Sequence, residues 1–149
     1  MIVFELLEKA EHYGKATNFE KCLRQIQRFN KRPAVCMIIS DFFAPDYAVA
    51  LGKLRASKHD ISCIQVLSPS ELKCDWRGDL RLQCVESGEI KTLTVTTKDA
   101  EEYDKLIRQW NEQLRVECLK KNIQYIQTNT EIPFEELVQH ILRREGIVS

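Results

Sequence analysis

The chain has 149 residues, 44% hydrophobic and 30% charged, with 22 Lys and Arg set against 22 Asp and Glu. That suffices for one hydrophobic core beneath an ordinary soluble surface. A formal net charge of zero offers no field to draw in nucleic acid or an anionic membrane, and no apolar run approaches the ~20 residues that cross a bilayer.

Residues 2–13 place Val3, Leu6, Leu7, Ala10 and Tyr13 at helical spacing, with Glu5, Glu8, Lys9 and Glu11 largely opposite. Gly14 is positioned to stop that helix. Because acidic residues interrupt the apolar positions, the segment does not read as a signal peptide, and a cytoplasmic protein is expected. After the loop 14–18, a second stripe runs through Phe19, Cys22, Leu23, Ile26 and Phe29, with Thr17 or Asn18 available as its N-cap.

Pro33 breaks the chain before a strand over 34–39. It is apolar throughout, the pattern of a strand covered on both faces, and it runs straight into Ser40 and Asp41. A helix over 46–56 follows, with Tyr47, Ala50, Leu51 and Leu54 on one side, then a second strand over 61–67. Residues 80–95 alternate and turn through Glu86-Ser87-Gly88-Glu89, which predicts an inserted β-hairpin. A helix over 98–120 aligns Tyr103, Ile107, Trp110, Leu114 and Cys118. A third strand over 123–127 precedes a last helix with Phe134, Leu137, Val138, Ile141 and Leu142 on its apolar side.

Strands separated by such helices pair in parallel, so residues 1–149 are expected to form one α/β domain with helices on both faces. Three parallel strands leave 34–39 short of a neighbour. That neighbour is expected either upstream in the chain or from another chain. Since an uncovered apolar edge invites pairing, a homodimer through that edge is the favoured expectation.

The cysteines show no C-x-x-C and no zinc-like spacing with His12, His59 or His140. They read as free thiols in a reducing compartment. Cys22, Cys36, Cys63 and Cys118 fall at core-facing positions, while Cys74, beside Asp75 and Trp76, is the candidate exposed thiol. His59, in a Lys-His-Asp turn, reads as surface or half-buried.

Ligands of open α/β sheets bind at the carboxyl ends of the strands, where Ser40 and Asp41 stand and where Thr17 can lie. A hydroxyl and a carboxylate suit a hard cation such as Mg²⁺. Alternatively, Asp41 caps its own turn by bonding the backbone of Phe43 or Ala44. An acidic pair, Asp41 and Asp46, allows a second reading as a metal-assisted phosphoryl hydrolase. However, no lysine and hydroxyl accompany the pair, and no nucleophile elbow, Walker loop or zincin motif is present.

The runs "GKATNFEKCLRQI", "VCMIISDFF", "KLRASKHDISCIQVLSPSEL", "GDLRLQCVESGE" and "YIQTNTEIPFEELVQHIL" resemble the C-terminal part of the bacterial domain of unknown function 58 family. The resemblance implies a three-layer von Willebrand A-like (Rossmann-type) half-domain: a short parallel sheet flanked by helices, with an inserted hairpin. It implies a non-enzymatic protein-interaction module whose partner is a MoxR-type AAA ATPase. It also maps Thr17 and Asp41 onto the threonine and aspartate of a metal-ion-dependent adhesion site, with Thr17, Asn18, Ser40, Asp41 and Phe42 forming the partner-binding edge. The D-x-S-x-S motif of such sites is missing. The site is therefore incomplete, and Mg²⁺ is expected only if that motif is supplied from elsewhere.

Overall fold

The computed structural model describes Phe19, Cys22, Gln25 and Ile26, then residues 32–83 and 88–142, with backbone alone for 140–142. The expected helix over 2–13, the loop with Thr17 and Asn18, His12 and Cys84 lie outside the described residues, as does the side chain of His140.

Strand β1, Val35–Ser40, leads to helix α1, Tyr47–Ala56, and strand β2, Asp60–Leu67. A single helical turn α2, Pro69–Leu72, precedes strands β3, Gly78–Gln83, and β4, Ile90–Val95. Helix α3, Thr97–Lys120, returns the chain to β5, Gln124–Asn129. The last segment is a short α4, Phe134–Glu136, that widens into a π-helical run Leu137–Leu142.

The sheet order is β1-β2-β5, with both pairings parallel and Ser40 level with Gln65, itself level with Gln127. Parallel neighbours need a crossover, supplied by α1 between β1 and β2 and by α3 between β2 and β5. The hairpin β3–β4 forms a separate antiparallel ribbon, Gly78 opposite Val95 and Gln83 opposite Ile90. Gly88 sits in its turn at φ 73°, a conformation glycine adopts without a Cβ penalty. Among the described residues no helix is long and apolar enough to cross a membrane.

The main core lies between one sheet face and the helices. Tyr47, Ala50, Leu51 and Leu54 of α1 meet Ile61 and Cys63 of β2, Leu114 and Cys118 of α3, and the rings of Phe19 and Phe42. On the other face Ile64 and Ile126 are covered by Leu137 and Val138. β2 is paired on both sides and covered on both faces, which is why its run reads as continuously apolar.

β1 departs from the sequence expectation. It is not covered on both faces: Cys36 and Ile38 pack inward, while Val35 and Ile39 remain 74% and 64% exposed. The cover from Leu137 and Val138 falls on Ile64 and Ile126, not on β1. Phe134, expected on the apolar side of the last helix, is exposed because it sits at the start of α4, ahead of those covering residues.

Three further expectations are corrected. Cys22 is exposed, at the margin of the stripe whose centre packs Phe19 and Ile26. Cys74 is buried, because its loop docks on α3: its N–H donates to Asp104 Oδ1 at 2.8 Å, and the Tyr103 hydroxyl donates to the Glu71 carbonyl at 3.0 Å. His59 is buried, accepting the Ala34 N–H at Nδ1 at 3.2 Å while its carbonyl accepts from Arg55 at 3.2 Å.

Helix α3 is held at both ends by charge. The Thr96 hydroxyl and N–H donate to Asp99, whose own N–H donates back to the Thr96 oxygen, a capping box. These bonds hold the Asp99 carboxyl below the usual carboxylate range, and Lys121, with Lys120, does the same for Glu117 near the other end. A depressed carboxyl stabilises the fold above its unfolded pKa and loses that contribution as pH falls through the folded one. Helical ellipticity and thermal midpoint are therefore expected to hold above about pH 5 and fall toward pH 3. Thermal melts by circular dichroism check this. In Asp99→Ala the midpoint is lower at neutral pH and its acid dependence shallower, because the Thr96 share is already gone.

Candidate functional site

The carboxyl end of β1 is a turn made rigid by its own polar groups. Ser40 Oγ accepts the Phe42 N–H at 3.0 Å, and Asp41 Oδ1 accepts the Phe43 N–H at 3.1 Å and the Ser40 hydroxyl at 3.3 Å. Asp41 thus closes the turn in the way short acidic side chains do after a strand.

The Asp41 carbonyl is tied to the middle of the sheet. Gln65 Nε2 donates to it at 3.0 Å and to Asn111 Oδ1 at 3.0 Å, while Gln65 Oε1 accepts the Tyr125 hydroxyl at 2.6 Å. Gln65 is fully buried, so one side chain links β1, β5 and α3 through hydrogen bonds within the core. Burial pushes the Tyr125 phenol up, keeping it a neutral donor.

This bonding fixes Phe42 at φ 60°, a left-handed conformation that costs a bulky residue roughly 1–3 kcal/mol. Core packing offsets the strain. The Phe42 ring is fully buried, 5.5 Å from Phe19 and 6.5 Å edge-on from Tyr47 between centroids. Phe43, the next residue, is turned outward and 43% exposed.

Phe43 forms one wall of an open apolar groove of about 510 Å³. Tyr103, Leu106, Ile107 and Trp110 of α3 and Glu71 of α2 form the rest. Leu106 and Tyr103 are 58% and 37% exposed. This surface was not read from the sequence, although the Tyr103–Trp110 spacing along α3 was visible there.

Of the expected edge residues, the structure places Ser40, Asp41 and Phe42 in one turn, with Phe42 directed into the core. Thr17 and Asn18 are outside the described residues. Asp46 stands at the N-cap position of α1, its carbonyl accepting the Ala50 N–H at 3.1 Å. Among the described residues no group of three His, Cys, Asp or Glu side chains could hold a metal ion. Asp41, whose Oδ1 is engaged by the turn, does not by itself make a Mg²⁺ centre.

Cys63 and Cys118 are both buried and share a hydrogen bond, which together with burial pushes the Cys63 thiol up and, against burial, holds the Cys118 thiol down, while burial alone raises Cys36. Gln65 is the residue whose role sequence reasoning missed. Its signal was a lone amide within the apolar run "ISCIQVL", where a buried polar group demands partners.

A parallel sheet with crossover helices, an added antiparallel hairpin and a structured turn at the carboxyl end of an edge strand define an α/β, Rossmann-like half-domain. The chain belongs to the family described as protein of unknown function DUF58, whose model matches residues 1–113. An uncharacterized protein of Mycobacterium avium is 30% identical over 81 residues, 54% of this chain and 47% of that one. Uncharacterized proteins of Mycobacterium bovis and Mycobacterium tuberculosis are 30% identical over 70 residues, 47% of this chain and 22% of theirs. The chain thus matches less than half the length of each of these relatives. No solved structure matches.

Proposed function

We propose that the chain is a non-enzymatic protein-interaction module, a von Willebrand A-like half-domain with an incomplete metal-ion-dependent adhesion site, that engages a MoxR-type AAA ATPase in the cytoplasm. The observation that carries the reading is the Ser40–Phe43 turn. A backbone held in a left-handed conformation by hydrogen bonds, with one aromatic ring locked inside and the next held outside, is a preorganised contact. Exposed aromatics on rigid elements are the anchors that dominate protein interfaces.

Binding of the purified ATPase to the immobilised chain tests this directly. Wild type is expected to bind, and Phe43→Ala to bind about tenfold or more weakly, since loss of an interface anchor costs at least ~1.4 kcal/mol. No binding at the highest soluble concentration would overturn the partner. If instead the chain hydrolyses p-nitrophenyl phosphate in the presence of Mg²⁺ and Asp41→Ala abolishes the turnover, the hydrolase reading through Asp41 and Asp46 replaces this one.

The same reading includes a second copy of the chain along β1. Among the described residues no strand pairs with the outer side of β1, and "VCMIIS" carries none of the lysines, prolines or bulges that guard natural edges. Light scattering over a concentration series is expected to show dimers that Ile39→Lys disperses. Because Ile39 is 64% exposed, stability should change by no more than about 0.5 kcal/mol. A strict monomer across the series would exclude the edge contact.

A further inference from the structure

We infer that the groove between Phe43 and α3 receives a cationic amphipathic helix, an inference that rests on the interaction-module reading and names the chemistry of the partner's contact. The groove supplies an apolar floor from Leu106, Ile107 and Trp110, with the ring of Phe43 as its wall. Such a shape takes the apolar stripe of a helix, presented at i, i+3, i+4 and i+7.

The charge around the groove selects the flanks of that helix. Glu71 lines it, and its lining includes no Lys or Arg among the described residues. Glu102, exposed and one helical turn before Leu106, shares the same side of α3. Asp41, exposed, lies two residues from Phe43. Lys105 is displaced about 100° around the helix from Leu106, and Arg108 lines a different groove with Asn111 and Tyr125. The chain as a whole is neutral, so discrimination between cationic and anionic partners is local to this rim.

The groove is also built to stay open. The backbone carrying Phe43 is held by its own N–H bond to Asp41 and by that of Phe42 to Ser40, and Trp110 packs edge-on against Tyr47, 5.5 Å away between ring centroids. Docking therefore requires little ordering on this side of the contact.

The probe is a fluorescein-labelled peptide of about five helical turns, about 18 residues, with Leu at the i, i+3, i+4, i+7 positions and Lys elsewhere. An otherwise identical Leu/Glu peptide is the control. Anisotropy titration of the full chain is expected to give salt-sensitive binding of the Leu/Lys peptide and binding of the Leu/Glu peptide at least about tenfold weaker. Leu106→Ser is expected to weaken the Leu/Lys peptide about tenfold, and Glu102→Lys severalfold. Both side chains are exposed, so neither substitution threatens the fold. Equal affinity for the two peptides, or an unchanged affinity in Leu106→Ser, overturns the inference. Assaying the ATPase against the same variants separates the two readings. An ATPase that binds wild type and Leu106→Ser alike removes the groove and leaves the module standing. A chain that takes the Leu/Lys peptide as expected but not the ATPase supports the groove and removes that partner.

Discussion

Gln65→Ala is expected to destabilise the chain by about 3–4 kcal/mol, more than a surface polar substitution ever costs. The fully buried amide serves three partners at once, and alanine replaces none of them. The Asp41 carbonyl, Asn111 Oδ1 and the Tyr125 hydroxyl would each lose a bond to an amide that is itself fully buried. Graded variants separate the contributions. Tyr125→Phe removes one bond and is expected to cost about 1–2 kcal/mol, because Gln65 Oε1 is left unsatisfied. Gln65→Met keeps the volume yet leaves the same three orphans, so it should approach the alanine loss. Urea denaturation measures the series. If Gln65→Met proves as stable as wild type, the amide is only filling space and the network argument fails.

The network also shows where sequence reasoning reached and where it stopped. The face of α1 was legible because a helical period sorts inside from outside locally: Tyr47, Ala50, Leu51 and Leu54 are all buried as their spacing implied. On α3, Ile107, Leu114 and Cys118 are buried likewise, while Tyr103, expected beside them, is 37% exposed. β2 was legible because a strand paired on both sides leaves no polar face to hide. β1 carries the same apolar composition, yet its environment depends on what lies beyond its edge and above its outer face, which its own six residues do not encode. Cys74 and His59 were misplaced for a similar reason. Their burial comes from a loop docking on α3 and from Ala34 packing on His59, contacts between residues distant in the chain. Ser40 and Asp41 were located correctly as a strand-end pair because a carboxylate after an apolar run is conspicuous. The bond from the Phe43 N–H to Asp41 is the turn-capping alternative that Asp41's position already offered, whereas nothing in the letters "SDFF" announces a phenylalanine at positive φ. Thr17 entered the site by its loop position and then by family resemblance, and Asn18 by the resemblance alone, which is a separate warrant from the geometry.

Phe42 carries the other large expectation, and it tests the link between strain and function. Phe42→Ala removes a fully buried ring between Phe19 and Tyr47 and is expected to cost about 3–5 kcal/mol. Phe42→Gly empties the same space and slightly more, and in an ordinary strand or helix it would be the worse variant by roughly 0.5–1 kcal/mol. At φ 60° the order is expected to reverse, because glycine enters the left-handed region without the penalty alanine retains. Urea denaturation of the two variants decides the matter: alanine more stable than glycine would mean that the turn is not strained. The same pair bears on the contact surface. Each removes the ring that locks the turn while leaving Phe43, Leu106 and Trp110 chemically intact. A preorganised anchor predicts weaker partner binding even under conditions where both variants remain folded. Unchanged affinity in the folded variants would mean that Phe43 docks by virtue of its ring alone. The strain at Phe42 would then belong to the stability of the fold and not to recognition.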